Sequence, residues 1–309
     1  MSTCRPSERE YGEGLGNVAA VMDAELLAAG RVRVETTGPV LTITLDRPEQ
    51  LNAQTPATWR ALAAIGAELA ADRGGAKQDE RRGARVVVLR GAGPSFSAGL
   101  DRAMFTPHGI PGEPGLFQLA AQTDAEIDAA ISAFQSAFTW WSQVPAVTIA
   151  AVQGNAIGAG FQLALACDLR VVADDARFAM KETSLGLVPD LTGTSRLVQA
   201  VGTARALEIC ATGRWVGAAE AVAIGLATAA VPAGDLEPTV TDLVEALLAA
   251  PAGALRETLA LLRDATGRTP GEQHAAERAA QTRRLRALAG AAAPAAGTTG
   301  VVGGVGDTG

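Results

Sequence analysis

Histidine and cysteine are scarce in this chain of 309 residues, and their scarcity limits the chemistry available to it. The two histidines are His108 and His274, far apart along the sequence. A Ser-His-Asp triad or a metal centre therefore has little to draw on, and we expect no metal site. Cys4, Cys167 and Cys210 show no metal-ligand spacing, and so few cysteines are typical of a reducing compartment.

Long apolar runs are also missing. No run reaches the roughly 18 apolar residues of a membrane span, and Met1 to Tyr11 has no apolar core of a signal peptide. We therefore expect a cytoplasmic protein without a membrane partner. The net charge of −7 argues against nucleic acid as the main partner.

The hydrophobic pattern divides the chain into four parts. Residues 1–30 form a glycine- and alanine-rich extension, and residues 31–234 alternate strands, small-residue turns and helices. Residues 235–289 are almost wholly helical in pattern, and residues 290–309 have too little side-chain bulk to fold. The alternation of strands and helices indicates an α/β fold.

Individual elements follow from the spacing of apolar residues. A β-hairpin is predicted from Val32 to Thr36 and Val40 to Leu45, and a buried strand from Val86 to Leu89. Helices are predicted from Thr55 to Asp72 and from Asp124 to Trp141. The stretch 107–115, with three prolines and three glycines, is a candidate lid.

A glycine-rich turn joins a buried strand to a helix between Ile149 and Asp168. The start of the helix leaves backbone N–H groups unpaired, and Gly154 with the small cluster 158–160 lets a ligand approach them closely. Such donors fit an oxyanion site. An ordinary tight turn stays possible. So does a dinucleotide site using Asp174, although G-x-x-x-G-x-G is not the usual glycine order.

The segment from Ile149 to Asp168 resembles, position for position, the signature of the crotonase family, also called the enoyl-CoA hydratase/isomerase family. A second small-residue turn, 96–101 (F-S-A-G-L-D), resembles the other half of that signature. The resemblance covers about residues 31–288 and implies a spiral of ββα units followed by a helical C-terminal region. It also implies an oxyanion hole, formed by the backbone N–H groups of Leu100 and Ala159, for a thioester oxygen that becomes an enolate.

Three positions matter for proton transfer. Side chains on a helix lean toward its N-terminus, so Gln162 should project over the free N–H groups. The family's hydratases have a glutamate there, whereas glutamine cannot accept a proton at useful pH. Glu182 matches the glutamate shared by hydratases and isomerases, and Asp190 matches an aspartate of the family's dienoyl-CoA isomerases and chlorobenzoyl-CoA dehalogenases. Glu182 with Asp190 is most similar to the dienoyl-CoA isomerases, although those enzymes also have an acid at the Gln162 position.

Simpler interpretations of both acids remain open. Glu182 can be a solvated carboxylate or an ion-pair partner of Lys181. Asp190 can cap the helix predicted from Thr194 to Val201.

The resemblance further implies a binding surface for coenzyme A. The loop with Arg47 and Ala53 resembles the family loop that contacts the phosphates and pantetheine, with Arg47 as the phosphate partner or, alternatively, a solvated side chain. The other implied binding positions belong to the two small-residue turns: Ser97, Ala98, Gly99, Asp101, Gly158 and Gly160.

Three functions are compatible with this pattern. The favoured one is an isomerase that shifts double bonds in an acyl-CoA, with Glu182 and Asp190 exchanging protons. A hydratase with Glu182 as base is the alternative, and a non-catalytic acyl-CoA-binding protein is the third. Coenzyme A is part of the substrate, so no other cofactor is expected. The resemblance also implies a homotrimer or homohexamer and a role in fatty acid metabolism.

Overall fold

The computed structural model describes residues 22–71 and 83–292. Most of the predicted N-terminal extension and most of the predicted tail lie outside the described residues. By its internal contacts the chain forms two compact units, the first ending at Ala252 and the second beginning at Gly253.

The first unit contains two sheets. Its strands are β1 (Val32–Thr37), β2 (Val40–Leu45), β3 (Val86–Gly91), β4 (Val147–Val152), β5 (Asn155–Ile157), β6 (Leu169–Ala173), β7 (Arg177–Ala179), β8 (Val216–Gly217) and β9 (Ala229–Val231). The six-stranded sheet has the order β1-β2-β3-β4-β6-β9, and the three-stranded sheet has the order β5-β7-β8. In the larger sheet β1 and β2 are antiparallel and the other neighbours are parallel. The predicted hairpin and α/β class are confirmed.

Helices lie before, between and after these strands. They are α1 (Ala24–Gly30), α2 (Pro56–Ala71), α3 (Leu116–Ala120), α4 (Asp124–Thr139), α5 (Ala159–Ala166), α6 (Gly193–Val201), α7 (Thr203–Thr212), α8 (Ala218–Ala223), α9 (Leu236–Ala249), α10 (Ala252–Asp264) and α11 (Pro270–Ala292). Short 3₁₀ turns occur between several of them, including Thr183–Leu185.

The parallel strands decide where a site can form. β3 and β4 are parallel neighbours, so their carboxyl ends lie at the same edge of the sheet. The small-residue turns 92–101 and 153–158 follow those two ends. Ligand sites of α/β proteins commonly lie at this edge, because loops from neighbouring strands converge there.

Two helices pack beneath this edge. α2 buries Trp59, Leu62, Ile65 and Leu69, the apolar positions that predicted it. The helix predicted from Asp124 to Trp141 ends earlier, at Thr139, because the chain tightens into a 3₁₀ turn over Trp140–Ser142. That turn stacks the rings of Trp140 and Trp141, with centroids 4.0 Å apart.

The second unit is helical, as the sequence indicated. α10 and α11 are joined by a paired contact in which the Arg283 guanidinium donates to both carboxylate oxygens of Glu257, at 2.6 and 2.7 Å. Thr269 and Glu272 cap the start of α11 by hydrogen bonds in both directions. Within residues 22–71 and 83–292, every helix is too short or too polar to cross a membrane.

Candidate active site

A cavity of about 960 Å³ opens in the first unit. Its walls are mainly apolar, with side chains from α2, α3 and α4 on one side, including Trp59, Leu119, Ile131 and Phe134. The two small-residue turns and the segment 181–191 form the other sides. An apolar cavity with a few polar groups is the usual form of a small-molecule site.

The first turn is held by a parallel β-bridge between Gln54 and Leu100. The Gln54 N–H donates to the carbonyl oxygen of Gly99 at 2.7 Å, and the Asp101 N–H donates to the carbonyl oxygen of Gln54 at 2.8 Å. The bridge uses the backbone groups on either side of Leu100 and leaves the Leu100 N–H unused. Over the described ranges, that N–H donates to no protein group.

The second turn begins α5. Gly158 precedes the helix with a φ of 52°, in the range that favours glycine, and its N–H donates to the carbonyl oxygen of Ala179 at 2.9 Å. Ala159 is the first helical residue, where the backbone N–H has no partner within the helix. The described part of the chain supplies no other acceptor for it.

The two turns touch each other. Gly99 has a φ of +85°, and a Cβ atom built there would lie 2.4 Å from the carbonyl oxygen of Ile157 and 3.6 Å from the Ala159 nitrogen. Leu100 and Ala159 both line the cavity. We call Gly99, Leu100, Gly158 and Ala159 the backbone wall, since what it offers a ligand is main-chain N–H groups.

Glu182 and Asp190 also line the cavity, and we call this pair the carboxylate wall. A Cβ atom on Gly158 would be 3.2 Å from Glu182 Oε1 and 3.7 Å from Oε2, so this carboxyl lies directly beside the start of α5. Glu182 Oε2 is buried and has no hydrogen-bond partner among the described residues. An unpartnered buried carboxyl oxygen at a cavity is a candidate for proton exchange with a ligand.

Burial shifts both acids in the same direction. It raises the pKa of Glu182 and the pKa of Asp190 above their ordinary values. For Glu182 the negative charge of Asp190 adds to the rise in pKa, while the hydrogen bond from Gln162 opposes it. A raised pKa favours the neutral, proton-carrying form of each carboxyl group relative to an ordinary solvated side chain.

Gln162 lies behind the carboxylate wall, with 1% of its surface exposed. Its Nε2 donates to Glu182 Oε1 at 2.8 Å. Its Oε1 accepts from the Leu191 N–H at 2.9 Å and from the Gly193 N–H at 3.3 Å. The structure therefore brings Gln162, Glu182 and the loop after Asp190 together, but Gln162 does not line the cavity, and its amide contacts this loop instead of projecting over the free N–H groups as predicted.

Only some of the predicted coenzyme A positions line the cavity. Ala98, Gly99 and Gly158 line the cavity, whereas Arg47, Ala53, Ser97, Asp101 and Gly160 do not. Arg47 is not free in solvent, because its Nη1 donates to Asp101 Oδ2 at 2.5 Å. Asp101 Oδ1 also accepts the Ala103 N–H at 2.8 Å, so the predicted phosphate partner is tied to the first turn.

Ser97 and Gly160 act as scaffold in this structure. Ser97 is fully buried, and its Oγ donates to the Asn52 carbonyl oxygen at 2.8 Å and accepts from Gln54 Nε2 at 3.0 Å. It also accepts the Gly99 N–H at 3.2 Å. A Cβ atom on Gly160 would lie 2.7 Å from the Ser97 carbonyl oxygen, so the glycine allows α5 to approach the first turn.

The simpler interpretations of the acids are not realised. Lys181 turns from Glu182 and donates from Nζ to the carbonyl oxygen of Gly213. Asp190 does not cap α6: the N-cap residue Thr192 makes no side-chain hydrogen bond there, and the Gly193 N–H donates to Gln162 Oε1.

Sequence reasoning missed several residues of the site. Gln54 is fully buried and joins the first turn to Trp59, whose Nε1 donates to Gln54 Oε1 at 2.8 Å. Gln135 Nε2 donates to the Asp190 carbonyl oxygen at 2.7 Å. Arg102 lines the cavity directly after Asp101. For Arg102, the position directly after the turn 96–101 was the one available sequence signal. Gln54 and Gln135 belong to no motif, so nothing in the sequence marked them.

The fold and these two turns define an α/β protein with unused backbone N–H groups at an apolar cavity, and the comparison with known families identifies the class. The sequence model of the family described as Enoyl-CoA hydratase/isomerase matches residues 35–288. The chain belongs to the enoyl-CoA hydratase/isomerase family, and the predicted crotonase fold is confirmed.

Individual relatives are similar over most of the chain. "Probable enoyl-CoA hydratase EchA17" of Mycobacterium tuberculosis is 35% identical over 234 residues, covering 76% of this chain and 80% of the relative. "Probable enoyl-CoA hydratase echA8" of the same species is 34% identical over 208 residues, covering 66% and 70%. A provisionally named enoyl-CoA hydratase of Thermobifida fusca YX, solved with acetoacetyl-CoA, has a TM-score of 0.78 and 44% identity, covering 86% of this chain and 99% of that one. All three carry the name hydratase, so the narrower resemblance to dienoyl-CoA isomerases is not confirmed.

Proposed function

We propose that this protein acts on an acyl-CoA thioester through an enolate, and that it moves a double bond in an enoyl- or dienoyl-CoA. The observation that carries the proposal is the cavity itself. Two unused backbone N–H groups, at Leu100 and Ala159, and the carboxyl groups of Glu182 and Asp190 belong to the same apolar cavity. The Thermobifida fusca relative solved with acetoacetyl-CoA supports a CoA thioester as the ligand.

The reaction balances with the groups at hand. Glu182 Oε2, as the carboxylate, takes a proton from the activated carbon beside the thioester. The electron pair moves onto the thioester oxygen, which the two backbone N–H groups stabilise as an enolate. Asp190, whose neutral form is favoured by burial, acts as the acid and returns a proton at a carbon farther along the chain. No water is consumed; Glu182 ends protonated and Asp190 ionised, so a proton must pass from Glu182 to Asp190 before the next turnover.

In this proposal Arg47 supports the coenzyme A side indirectly. Its guanidinium pairs with Asp101 and so steadies the turn that presents Leu100. Arg102, which lines the cavity, is the cation placed to meet an anionic part of the ligand. Ala98, Gly99 and Gly158 leave room for the thioester beside the backbone donors.

Hydration is the second candidate, because the three relatives are named hydratases. Glu182 would then activate a water molecule that adds to the enoyl double bond. The second acid would have to be Asp190, since the amide of Gln162 is already used by Glu182, Leu191 and Gly193. We place isomerisation first because it needs only the two carboxyl groups that line the cavity, whereas hydration also needs a water molecule held beside them.

Product mass separates the candidates. The purified protein is incubated with 3-enoyl-CoA, 3,5-dienoyl-CoA and 2-enoyl-CoA, and product mass and ultraviolet absorbance are followed. Isomerisation predicts no mass change with new conjugated absorbance, whereas a gain of one water from 2-enoyl-CoA without any isomerisation would identify a hydratase.

Deuterium exchange tests the enolate step separately. In D₂O, a saturated acyl-CoA should exchange the protons beside its thioester when Glu182 is intact, because enolate formation does not require a complete reaction. Tight binding with neither exchange nor turnover would overturn the enzyme proposal and favour a binding protein.

A further inference from the structure

The side chain of Gln162 connects three separate segments at the acids of the site. It extends from α5, donates to Glu182 beyond β7, and accepts from two N–H groups of the loop before α6. It is buried and is not part of the cavity lining. Gln162 therefore does not reach a ligand in the cavity. It contacts Glu182 directly and also the loop that carries Asp190.

The hydrogen bonds fix which way the amide faces. Leu191 and Gly193 both present N–H donors, so the group facing them must be the amide oxygen. The NH₂ group therefore faces Glu182 Oε1, which accepts its hydrogen bond, and this bond is strongest when the carboxyl proton is on the other oxygen. The proton of Glu182 is therefore favoured on Oε2, the buried oxygen without a partner in the described residues.

Packing prevents the amide from turning to another arrangement. A Cβ atom on Gly193 would be 2.6 Å from Gln162 Cγ and 3.1 Å from Gln162 Oε1. The glycine thus allows the loop to lie against the glutamine, and Thr192 accommodates this approach with a positive φ of 68°. Local strain of this kind persists only where the surroundings impose it.

We propose that Gln162 is a positioning residue that makes Glu182 a one-sided acid/base group: it occupies Oε1, directs proton exchange to Oε2, and by the same amide holds the loop that carries Asp190. The inference deepens the proposed function and rests on it for the identity of the proton exchange. It gives Gln162 a role that a glutamate at this position would not fill in the same way, since a carboxylate cannot donate to Glu182.

The charged and titratable groups around Glu182 are few. Asp190 faces it from the loop before α6, and Cys210 faces it from α7, where burial and then the Glu182 charge raise the pKa of the thiol. Lys181 is adjacent in sequence but is directed to Gly213 and to the ring of Trp215, 5.3 Å from Nζ. The hydrogen bond from Gln162 favours the charged form of Glu182 against burial and Asp190.

Two substitutions at Gln162 test the inference. Gln162→Leu keeps the approximate shape and removes all three hydrogen bonds. Gln162→Glu retains an acceptor for Leu191 and Gly193, but its other oxygen can donate to Glu182 only while protonated. Gln135→Leu is the matched control, because Gln135 also holds the Asp190 backbone through an amide but does not contact Glu182.

The expected results differ in pH dependence. Gln162→Leu should lower kcat about 100-fold with little change in KM, because the acid is displaced and the cavity is not. Its kcat–pH limb for Glu182 should move to higher pH, since the Leu side chain no longer favours the carboxylate. Gln162→Glu should retain more kcat at the acidic end and lose it as pH rises, when the shared proton leaves. Gln135→Leu should leave that limb in place.

Parallel losses of kcat in both variants with an unmoved pH limb would overturn the inference, because they would indicate a purely structural side chain. Higher kcat for Gln162→Leu than for Gln162→Glu at every pH would overturn it as well.

A measurement without turnover separates this inference from the proposed function. Infrared difference titration follows the Glu182 carboxyl band, which Glu182→Gln identifies by its loss. The band should titrate at higher pH in Gln162→Leu than in the wild type. An unchanged titration contradicts the role of Gln162 even if the enzyme turns over, whereas a shifted titration without turnover on any thioester contradicts only the proposed function.

Discussion

The backbone wall and the carboxylate wall line the same cavity but present different chemical groups to it. The backbone wall presents main-chain N–H groups, held by hydrogen bonds of neighbouring backbone groups and by glycines that allow the turns to touch. The carboxylate wall presents two side chains whose positions depend on Gln162 and Gln135. One wall has no titratable group, and the other has two with raised pKa.

Because of this difference, we expect different kinds of substitution to disturb the two walls. Main-chain donors do not depend on side-chain charge, so we expect the backbone wall to be sensitive to added bulk rather than to loss of charge. The carboxylate wall has room for isosteric changes, since Glu182 and Asp190 adjoin open cavity, but depends on charge. Bulk and charge are therefore the two ways to separate their contributions.

Removing charge from the carboxylate wall should have the largest effect. Glu182→Gln keeps the size of the side chain and removes the base, so kcat should fall about 10²- to 10⁴-fold while the Kd for a CoA thioester changes little. Steady-state kinetics and calorimetric binding measure the two quantities. Glu35→Gln, at an exposed position on β1, is the matched control and should have wild-type kcat. Unchanged turnover in Glu182→Gln would remove Glu182 from the reaction.

Adding bulk to the backbone wall should have the next largest effect. Gly99→Ala introduces a Cβ atom 2.4 Å from the Ile157 carbonyl oxygen at a φ of +85°, so the turn must move and the Leu100 N–H with it. Loss of one oxyanion donor typically lowers kcat about 10²- to 10³-fold. Because the wall does not titrate, the loss should be the same across the pH range.

Gly202→Ala serves as its control. Gly202 has a similar φ of +78° with nothing within 4 Å of a built Cβ atom, so it has the backbone strain without the clash. Its kcat should remain near that of the wild type, although its unfolding midpoint falls. Equal kcat losses in Gly99→Ala and Gly202→Ala would mean that strain, and not the displaced donor, explains the result.

The backbone wall was far easier to predict from sequence than the carboxylate wall. Its turns are local: small residues at 96–101 and 158–160 sit between a strand and a helix, and the pattern of a few neighbouring residues determines their shape. Glu182 and Asp190 were found through the family resemblance, but their setting was not. Gln162 contacts Glu182 across 20 positions and Gly193 across 31, and no local pattern encodes such distances.

The same limit applies to the fold. The strands and most helix bounds follow from periodicity, whereas the end of α4 at Thr139 depends on where Trp140 packs. Gly66 in the middle of α2 admits the Trp140 ring, since a Cβ atom there would be 2.2 Å from Trp140 Cγ. A glycine inside a helix hints at such a contact but does not name its partner.

A substitution beneath the backbone wall should have a smaller effect. Ser97→Ala removes the hydroxyl that accepts from Gln54 and Gly99, so buried donors lose their partner and the free energy of unfolding should fall by about 1–3 kcal/mol. Denaturant unfolding measures this loss, with exposed Ser136→Ala as the control. If Ser97 instead contacts coenzyme A, as the sequence resemblance implied, KM rises while stability remains close to wild type.

The smallest expected effect is on the pH dependence of thermal stability, and its sign distinguishes the carboxylate wall from a carboxylate held in a salt bridge. The pKa values of Glu182 and Asp190 are raised in the folded state, so the folded protein holds protons that the unfolded chain has released. Stability should therefore fall as pH rises above the ordinary values of 4.5 and 3.8 and through the higher folded values. Asp190→Asn and Glu182→Gln should unfold at a higher temperature than the wild type near pH 7, and show no such gain near pH 3.

Glu257→Gln gives the opposite sign, because the hydrogen bond from Arg283 lowers the pKa of Glu257 and that carboxylate stabilises the fold at neutral pH. Thermal unfolding across pH measures the stability of all three variants. A loss of stability at pH 7 in Asp190→Asn would contradict the prediction, because it would mean that the Asp190 carboxylate has a stabilising partner.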